Sequence, residues 1–191
     1  MKTFKKQSVS HSAFTLIEII VVIGIFVGLM SAAVVNYRSG NRQSQLRLTA
    51  QSLATNIRLA QSYAVGSKDF VDLSGSDHIS QAPVGGWGIN LNKNNPGYYQ
   101  IVVDLNDDHL FDSTNDKVFR KINLPETIII DDIIDSNTGT VSSGTIFFKP
   151  PEPETFINGS ANNWITIILK DQFEATTSQV TVNFFGLVEV E

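Results

Sequence analysis

The sequence predicts an α+β protein in which one long N-terminal helix, its first half transmembrane, packs on a mainly antiparallel β-sheet head. Three observations lead to this fold class. An apolar run covers residues 14–35, a helical stripe of apolar residues continues to residue 66, and runs rich in β-branched and aromatic residues follow, separated by turn residues. Strands that follow a helix, rather than alternate with helices, are typical of the α+β class.

The composition divides the chain of 191 residues into a basic and an acidic part. Residues 1–65 hold seven of the 14 Lys and Arg residues and one acid, Glu18, whereas residues 66–191 hold seven basic residues and 18 acids, a balance of 7 − 18 = −11. This surplus of carboxylates repels phosphates, so a nucleic-acid partner is not expected for the head. The absence of cysteine excludes disulfides and thiolate metal sites.

The apolar run at residues 14–35 is long enough to cross a membrane as a helix, because a span needs about 20 apolar residues. Lys2, Lys5 and Lys6 precede the run and predict a cytoplasmic N-terminus. A secretory signal peptide would have a shorter apolar region with small residues after it, and here the small residues stand before it. An ordinary anchor explains the length but not Glu18, since an acid inside a span costs roughly 3 kcal/mol.

The stretch "AFTLIEIIVVIGI" resembles the processing site of type IV prepilins and type II secretion pseudopilins. The resemblance implies that residues 1–13 are a leader cut between Ala13 and Phe14, and that the new amino group of Phe14 is methylated. It also implies that Glu18 pairs with the amine of a neighbouring subunit, which would make residues 14–35 an assembly helix as well as a membrane span. The chain has Ala13 where the family usually has glycine.

The resemblance also implies partners and a location. The partners are other pilin or pseudopilin subunits, a prepilin peptidase that is also a methyltransferase, an inner-membrane assembly platform and membrane lipid. The location is the bacterial inner membrane, crossed once with the head on the extracytoplasmic side, and then a pilus or pseudopilus. The chain is thus expected to be a structural, minor subunit of such a fibre.

Residues 36–66 are predicted to continue the helix as an amphipathic segment. Its apolar residues are spaced by four and three positions, which places them on one helical face. They are Leu46, Ala50, Leu53, Ile57, Ala60 and Ala64. Gly66 is the expected stop, and the face is expected to pack on the head.

The head is assigned to residues 67–191. Seven runs read as strands, because β-branched and aromatic residues recur in them between turn signals. They are 86–92, 98–106, 117–124, 127–134, 144–150, 164–171 and 179–191, the last folding on itself near residues 184–186. Residues 67–84 are polar and read as a flexible excursion, and the Pro- and Asn-rich stretch 150–163 reads as a loop.

An acidic loop, "DLNDDHLFDSTND", invites two interpretations. Its acidic and amide residues fall near the ligand positions of a calcium loop. They are Asp104, Asn106, Asp108 and Asp112, with Asp116 as a substitute for the final glutamate. His109, however, replaces the glycine of the sharp turn. The favoured interpretation is a polar hairpin loop without a cofactor, since Asp and Asn favour turns. Calcium binding is the alternative.

Enzyme activity is not expected. The chain shows no Ser/His/Asp order, phosphate-binding glycine loop or pair of metal-ligating histidines. His78 and His109 are predicted to be solvated loop residues. Trp87 and Trp164 are predicted to lie in the core of the sheet.

The sequence after the apolar run indicates which members of the pilin and pseudopilin family the chain resembles. The segment "LATNIRLAQSYAVGSKD" followed by strands is similar to H-type minor pseudopilins and to FimT-like minor pilins, with Trp87, residues 104–108 and Gly186 at matching places. The FimT-like alternative implies a subunit that captures DNA for uptake. The final run "TVNFFGLVEVE" carries no basic residue, which argues against DNA capture through this tail.

Overall fold

The computed structural model describes residues 15–72, 79–151, 154–173 and 175–191, without the side chains of residues 32–39, 72, 79 and 81. The structure divides into two units, residues 1–41 and 42–191, which are described separately. Ala13, Phe14 and the side chains of residues 32–35, all part of the predicted leader and span, lie outside this description. Among the described residues, no helical segment is both long and apolar enough to cross a membrane.

Helix α1 runs from Leu16 to Val65, which confirms the prediction of one long helix that ends before Gly66. The left-handed residue after the helix is Ser67, with φ of 44°, rather than the glycine. The Lys68 N–H closes the end by donating to the Tyr63 carbonyl at 2.9 Å. The left-handed turn at the end of the helix is therefore supplied by Ser67 and not by the predicted glycine.

The second half of α1 buries the predicted face. All six residues of the predicted stripe, from Leu46 to Ala64, are at most 2% exposed, and Ala54 joins them. Alanine at half of the stripe positions keeps that side of the helix narrow, so the sheet residues of the head can approach its backbone closely.

The head contains twelve strands in the described residues, in three antiparallel sheets. They are β1 Phe70–Asp72, β2 Ile79–Gln81, β3 Gly86–Asn92, β4 Tyr98–Asp104, β5 Lys117–Asn123, β6 Ile128–Asp135, β7 Gly139–Thr140, β8 Ser143–Lys149, β9 Glu154–Ile157, β10 Ile165–Asp171, β11 Thr177–Val182 and β12 Val188–Val190. One five-stranded sheet has the order β5-β4-β3-β8-β9, a second has the order β12-β11-β10-β6-β7, and β1-β2 is a separate hairpin.

All seven predicted strand runs are present, and the last one folds on itself as β11 and β12. Three expectations about the head were wrong. The head has two large sheets instead of one. Residues 67–84 contain the β1-β2 hairpin, with Phe70 paired to Gln81, and the supposed loop 150–163 contains β9. These strands are short: β9 forms beside the free edge of β8, whereas β1 and β2 pair only with each other.

One hydrophobic core joins α1 to both large sheets. Alternate residues of β3 and β4, such as Trp87, Ile89 and Ile101, face it, as do Ile133 and Ile167 of the other sheet. Trp87 is buried as predicted, and its ring N–H donates to the Lys68 carbonyl at 2.9 Å. Trp164 is 43% exposed, so the prediction of a core position was wrong there. It directly precedes Ile165, which faces the core, and successive side chains of an extended strand point to opposite faces.

Candidate functional site: the N-terminal segment and the acidic loop

The N-terminal segment begins with a capped helix. The Thr15 Oγ1 accepts a hydrogen bond from the Glu18 N–H at 3.3 Å, and the Thr15 carbonyl accepts from the same N–H at 3.1 Å. Thr-x-x-Glu is the sequence of a capping box, and an acid in the first turn also suits the positive end of the helix dipole. Glu18 is exposed, and its position therefore stabilises the start of the helix whatever else it contacts.

The same segment exposes an apolar surface. Twelve large apolar side chains between Leu16 and Met30 are each between 46% and 78% exposed. They are Leu16, Ile17, Ile19, Ile20, Val21, Val22, Ile23, Ile25, Phe26, Val27, Leu29 and Met30. They surround the helix on all sides, which is the pattern of a helix that is covered by other molecules in its working state.

The acidic loop connects β4 to β5, and Asp104 anchors its first half. This side chain is fully buried at the end of β4. Its Oδ1 accepts hydrogen bonds from the Asn106 and Asp107 N–H groups at 3.1 and 2.7 Å. Its Oδ2 accepts from the His109 N–H at 2.8 Å. Asp104 thus binds the backbone of its own loop, as Asx turns do.

Asp116 and Asp112 hold the second half of the loop. The buried Asp116 accepts from the Leu105 N–H at 3.1 Å and from the Asp112 N–H at 3.0 Å. Burial raises the pKa of Asp116 in spite of these bonds, and the negative charges of Asp104 and Asp108 add to the rise. Asp112 accepts from the Thr114 and Asn115 N–H groups, which hold its pKa below the usual value.

The five predicted ligands do not converge on one point in the described residues. Asn106 donates to Asp108 at 2.7 Å, and Asp108 also accepts from the Leu110 N–H at 2.8 Å. The group of potential ligand atoms that does lie together joins Asp104 to Asp107 and His109, within 4.8 Å of one another. The observed contacts support the hairpin interpretation, and calcium binding stays a prediction.

His109 is buried, so the expectation of a solvated loop histidine was wrong. Its ring stacks on Phe156 of β9 with centroids 3.7 Å apart, and its Nδ1 lies 3.2 Å from the Asp104 carboxylate. Its φ of 59° lies in the left-handed region, where the calcium-loop pattern has glycine. His78 lies outside the described residues. Sequence reasoning also missed Asp107, which pairs with Lys149 at 2.8 Å, because these partners are 42 positions apart.

Another buried carboxylate, Asp135, organises the end of β6. Asn158 and Asn163 donate to its Oδ2 at 2.5 and 2.8 Å, and the Asn137 and Thr138 N–H groups donate to its Oδ1 at 2.8 and 3.1 Å. Burial alone would raise the pKa of Asp135, but these hydrogen bonds together outweigh it and the pKa lies below its usual value. No sequence signal distinguished this residue from other turn acids.

The β11-β12 hairpin forms the C-terminal tip. Gly186 occupies its turn with φ of 75°, and the Gly186 N–H donates to the Asn183 carbonyl at 2.8 Å. Phe184, Phe185 and Leu187 are exposed around it. The hairpin therefore offers apolar side chains and no cation of its own, although Arg58 of α1 donates to the Val188 carbonyl at 2.8 Å.

Comparison with protein families decides the assignment. The family model of the type II transport protein GspH matches residues 49–186, from the buried half of α1 to the turn of the last hairpin. The chain belongs to the GspH family. No curated protein and no solved structure matches it.

Membership in the GspH family confirms the predicted resemblance to H-type pseudopilins and makes the chain a pseudopilin-like protein of type II transport. The matched residues cover the packed half of α1 and nearly all of the head. The cleavage site and the exposed apolar segment, residues 13–31, lie before the match and are treated below as proposals.

Proposed function

We propose that the chain is a minor structural subunit of a type II secretion pseudopilus, held first in the inner membrane and then in the fibre by its N-terminal helix. The observation that carries the proposal is the twelve exposed apolar side chains of residues 16–30 on a chain whose head belongs to the GspH family. Covering a large aliphatic side chain contributes about 1.5–3 kcal/mol. Twelve that are about half exposed therefore favour a covered state by on the order of 10 kcal/mol, comparable to the stability of a whole domain.

The membrane location rests on the sequence run 14–35, of which the described side chains cover only 15–31. Lipid would cover this run before assembly, and the helices of neighbouring subunits together with the inner-membrane platform would cover it afterwards. The basic leader keeps the N-terminus in the cytoplasm, and the head then lies on the extracytoplasmic side.

The processing step is part of the proposal. A prepilin peptidase cuts between Ala13 and Phe14 and methylates the new amine, which stands one helical turn from Glu18. Mass spectrometry of the N-terminal peptide from native membranes tests it. The expected peptide begins with N-methylated Phe14, and a chain that retains Met1 would contradict this step.

In the fibre, Glu18 pairs with the Phe14 amine of a neighbouring subunit. A carboxylate among apolar helices is costly alone and tolerable when paired, and such a pair also fixes the register of the helices. The observed contact with Thr15 uses the Glu18 N–H, but the capping-box pattern also gives the Glu18 side chain a local role at the start of the helix, which the experiment has to separate.

Two substitutions separate these roles. Glu18→Gln retains a capping-box residue and removes the charge, whereas Glu18→Ala removes both. If the charge pairs with the amine, both variants enter the membrane and both fail to co-purify with pseudopilins from sheared fibres. Normal incorporation of Glu18→Gln together with loss for Glu18→Ala would assign Glu18 to capping only and contradict the pairing.

The DNA-capturing alternative has no observation in its favour. The described tip, residues 175–191, contains Glu189 and Glu191 and no lysine or arginine. A gel shift with duplex DNA at low salt is the severe test, because low salt strengthens any attraction to phosphate. We expect no shift, and binding that weakens steeply with added salt would favour DNA capture.

A further inference from the structure

The outer face of the β5-β4-β3-β8-β9 sheet carries a polar groove that the pseudopilin role does not use. Core residues alternate with outward ones along β3, so Ile89 and Leu91 face the core while Asn90 and Asn92 lie on the opposite face. Strand register places Gln100 of β4 and Thr145 of β8 on either side of Asn90. The result is a row of amide and hydroxyl side chains across the sheet.

The acidic loop forms one wall of this groove. Leu110 and Phe111 of the loop line it, and Tyr98 of β4 adds to this apolar lining on the same face as Gln100. The cavity measures about 440 Å³, within the range typical of small-molecule sites. Asp104 and Asp116 fix the loop backbone, so the wall is held in place before any ligand arrives.

A second groove of about 540 Å³ continues the first. Leu110, Ser143 and Asn158 line both. Among the residues that the structure describes, the only charged one that lines either groove is Asp135, whose oxygens already accept four hydrogen bonds. The continuous surface is therefore rich in groups that both donate and accept hydrogen bonds, and the acceptor capacity of its one carboxylate is already in use.

One atom in the groove lacks a partner. Thr145 is 7% exposed, and its Oγ1 is buried with no hydrogen bond from any described residue. A buried hydroxyl without a partner costs free energy, and such groups are rare in folded proteins. Next to it, Asn90 donates to the Gln100 Oε1 at 3.0 Å, which leaves the Asn90 oxygen and the Gln100 amide group for a ligand.

We infer that this groove binds a neutral oligosaccharide. Vicinal sugar hydroxyls donate and accept at once, which matches amide and hydroxyl side chains. The apolar face of a sugar ring matches the wall of Leu110, Phe111 and Tyr98. An anionic sugar is disfavoured because the groove offers no cation and residues 66–191 carry a balance of 7 − 18 = −11.

Calorimetric titration of the full chain with neutral tetrasaccharides tests the inference. The probes are maltotetraose, cellotetraose and tetra-N-acetylchitotetraose, and tetragalacturonate is the anionic control. The detergent must be zwitterionic, since a sugar headgroup would compete. We expect saturable binding of at least one neutral probe and none of tetragalacturonate.

Three variants locate the site. Thr145→Val removes the unpartnered hydroxyl at nearly constant volume and should weaken binding roughly two- to twelvefold, the value of one hydrogen bond. Ser143→Trp places a bulky ring where the two grooves meet and should abolish binding. Thr155→Val is the matched control, because Thr155 is also buried, also has an unpartnered Oγ1 and lines neither groove.

Several results would overturn the inference. They are the absence of binding at millimolar concentration, an equal loss in Thr155→Val, unchanged affinity in both groove variants, and equal binding of tetragalacturonate. Tighter binding of a neutral Asn- and Gln-rich peptide than of every tetrasaccharide would make the groove a protein interface and would also overturn it.

Discussion

Residues 16–31 and residues 46–64 belong to one continuous helix, yet the two stretches have opposite surfaces. The first stretch exposes apolar side chains on every side, such as Leu29 at 65%. The second places its apolar side chains in one buried stripe, such as Leu53 at 0%. Every buried core residue of the described chain lies at or after Leu46.

The difference shows that helix formation and helix burial have separate causes in this molecule. Backbone hydrogen bonds continue through both stretches and no proline interrupts them, whereas the spacing of apolar residues decides which surroundings suit each stretch. A periodic stripe is satisfied by the chain's own sheets. An apolar surface on all sides is not covered by the described chain itself, and the proposed function covers it with lipid and other subunits.

The largest expected effect compares leucines of the two stretches. Leu53→Ala removes buried contacts and leaves a cavity, so we expect the free energy of unfolding of the head to fall by about 2–5 kcal/mol. Leu29→Ala removes an exposed side chain and should change the same free energy by less than about 0.5 kcal/mol. Urea unfolding followed by the fluorescence of the buried Trp87 measures both. Equal losses of unfolding free energy in the two variants would contradict the difference between the two stretches.

A smaller effect concerns the acid stability of the head. Asp135→Asn sets an amide group against four donors and should cost about 1–3 kcal/mol at neutral pH. The pKa of Asp135 is lowered in the folded state, so its contribution is present above the ordinary value of 3.8 and is lost as the pH falls through the lower folded pKa. Unfolding measured across pH 2–5 should therefore decline less steeply in the variant.

A control variant and a second carboxylate help to interpret that measurement. Asp131→Asn removes a surface ion pair with Lys170 at 3.6 Å and should cost below about 1 kcal/mol. Asp116 contributes to the free energy of unfolding with the opposite pH dependence. Its pKa is raised in the folded state, so protonation of Asp116 favours the folded state as the pH falls through that pKa. An identical acid profile for wild type and Asp135→Asn would refute the assignment to Asp135.

The smallest expected effect tests whether the head depends on the first stretch. Deleting residues 1–41 removes none of the buried core residues, so the free energy of unfolding should change by less than about 0.5 kcal/mol. The deleted chain should also remain in solution without detergent. A loss of several kcal/mol would show that the two stretches share a core after all.

The parts of the fold that follow local periodicity were predictable from the sequence. The stripe from Leu46 to Ala64 has a helical period, and the seven strand runs have β-branched residues between turns. The split into two sheets was not predictable, because it depends on pairs distant in sequence, such as β3 with β8 and β6 with β10. The strand β9 is recognisable only beside β8.

The candidate site likewise has features that the sequence predicts and features that it does not. The turn-forming role of Asp104 and Asp112 follows from residue type alone, since Asp accepts bonds from the next N–H groups. The burial of His109 depends on Phe156, and the importance of Asp135 depends on Asn158 and Asn163, all from other parts of the chain. Sequence spacing contains no record of such contacts.

Labelling of single cysteines in native membranes tests the central claim most directly, and the chain is suited to it because it has no cysteine of its own. Ile23→Cys reports on the exposed apolar stretch, and Ala161→Cys reports on an exposed loop of the head. A water-soluble maleimide should label Ala161→Cys rapidly and leave Ile23→Cys unlabelled until the sample is denatured. Equal labelling of both positions before denaturation would show that the first stretch lies in water, and would contradict the account.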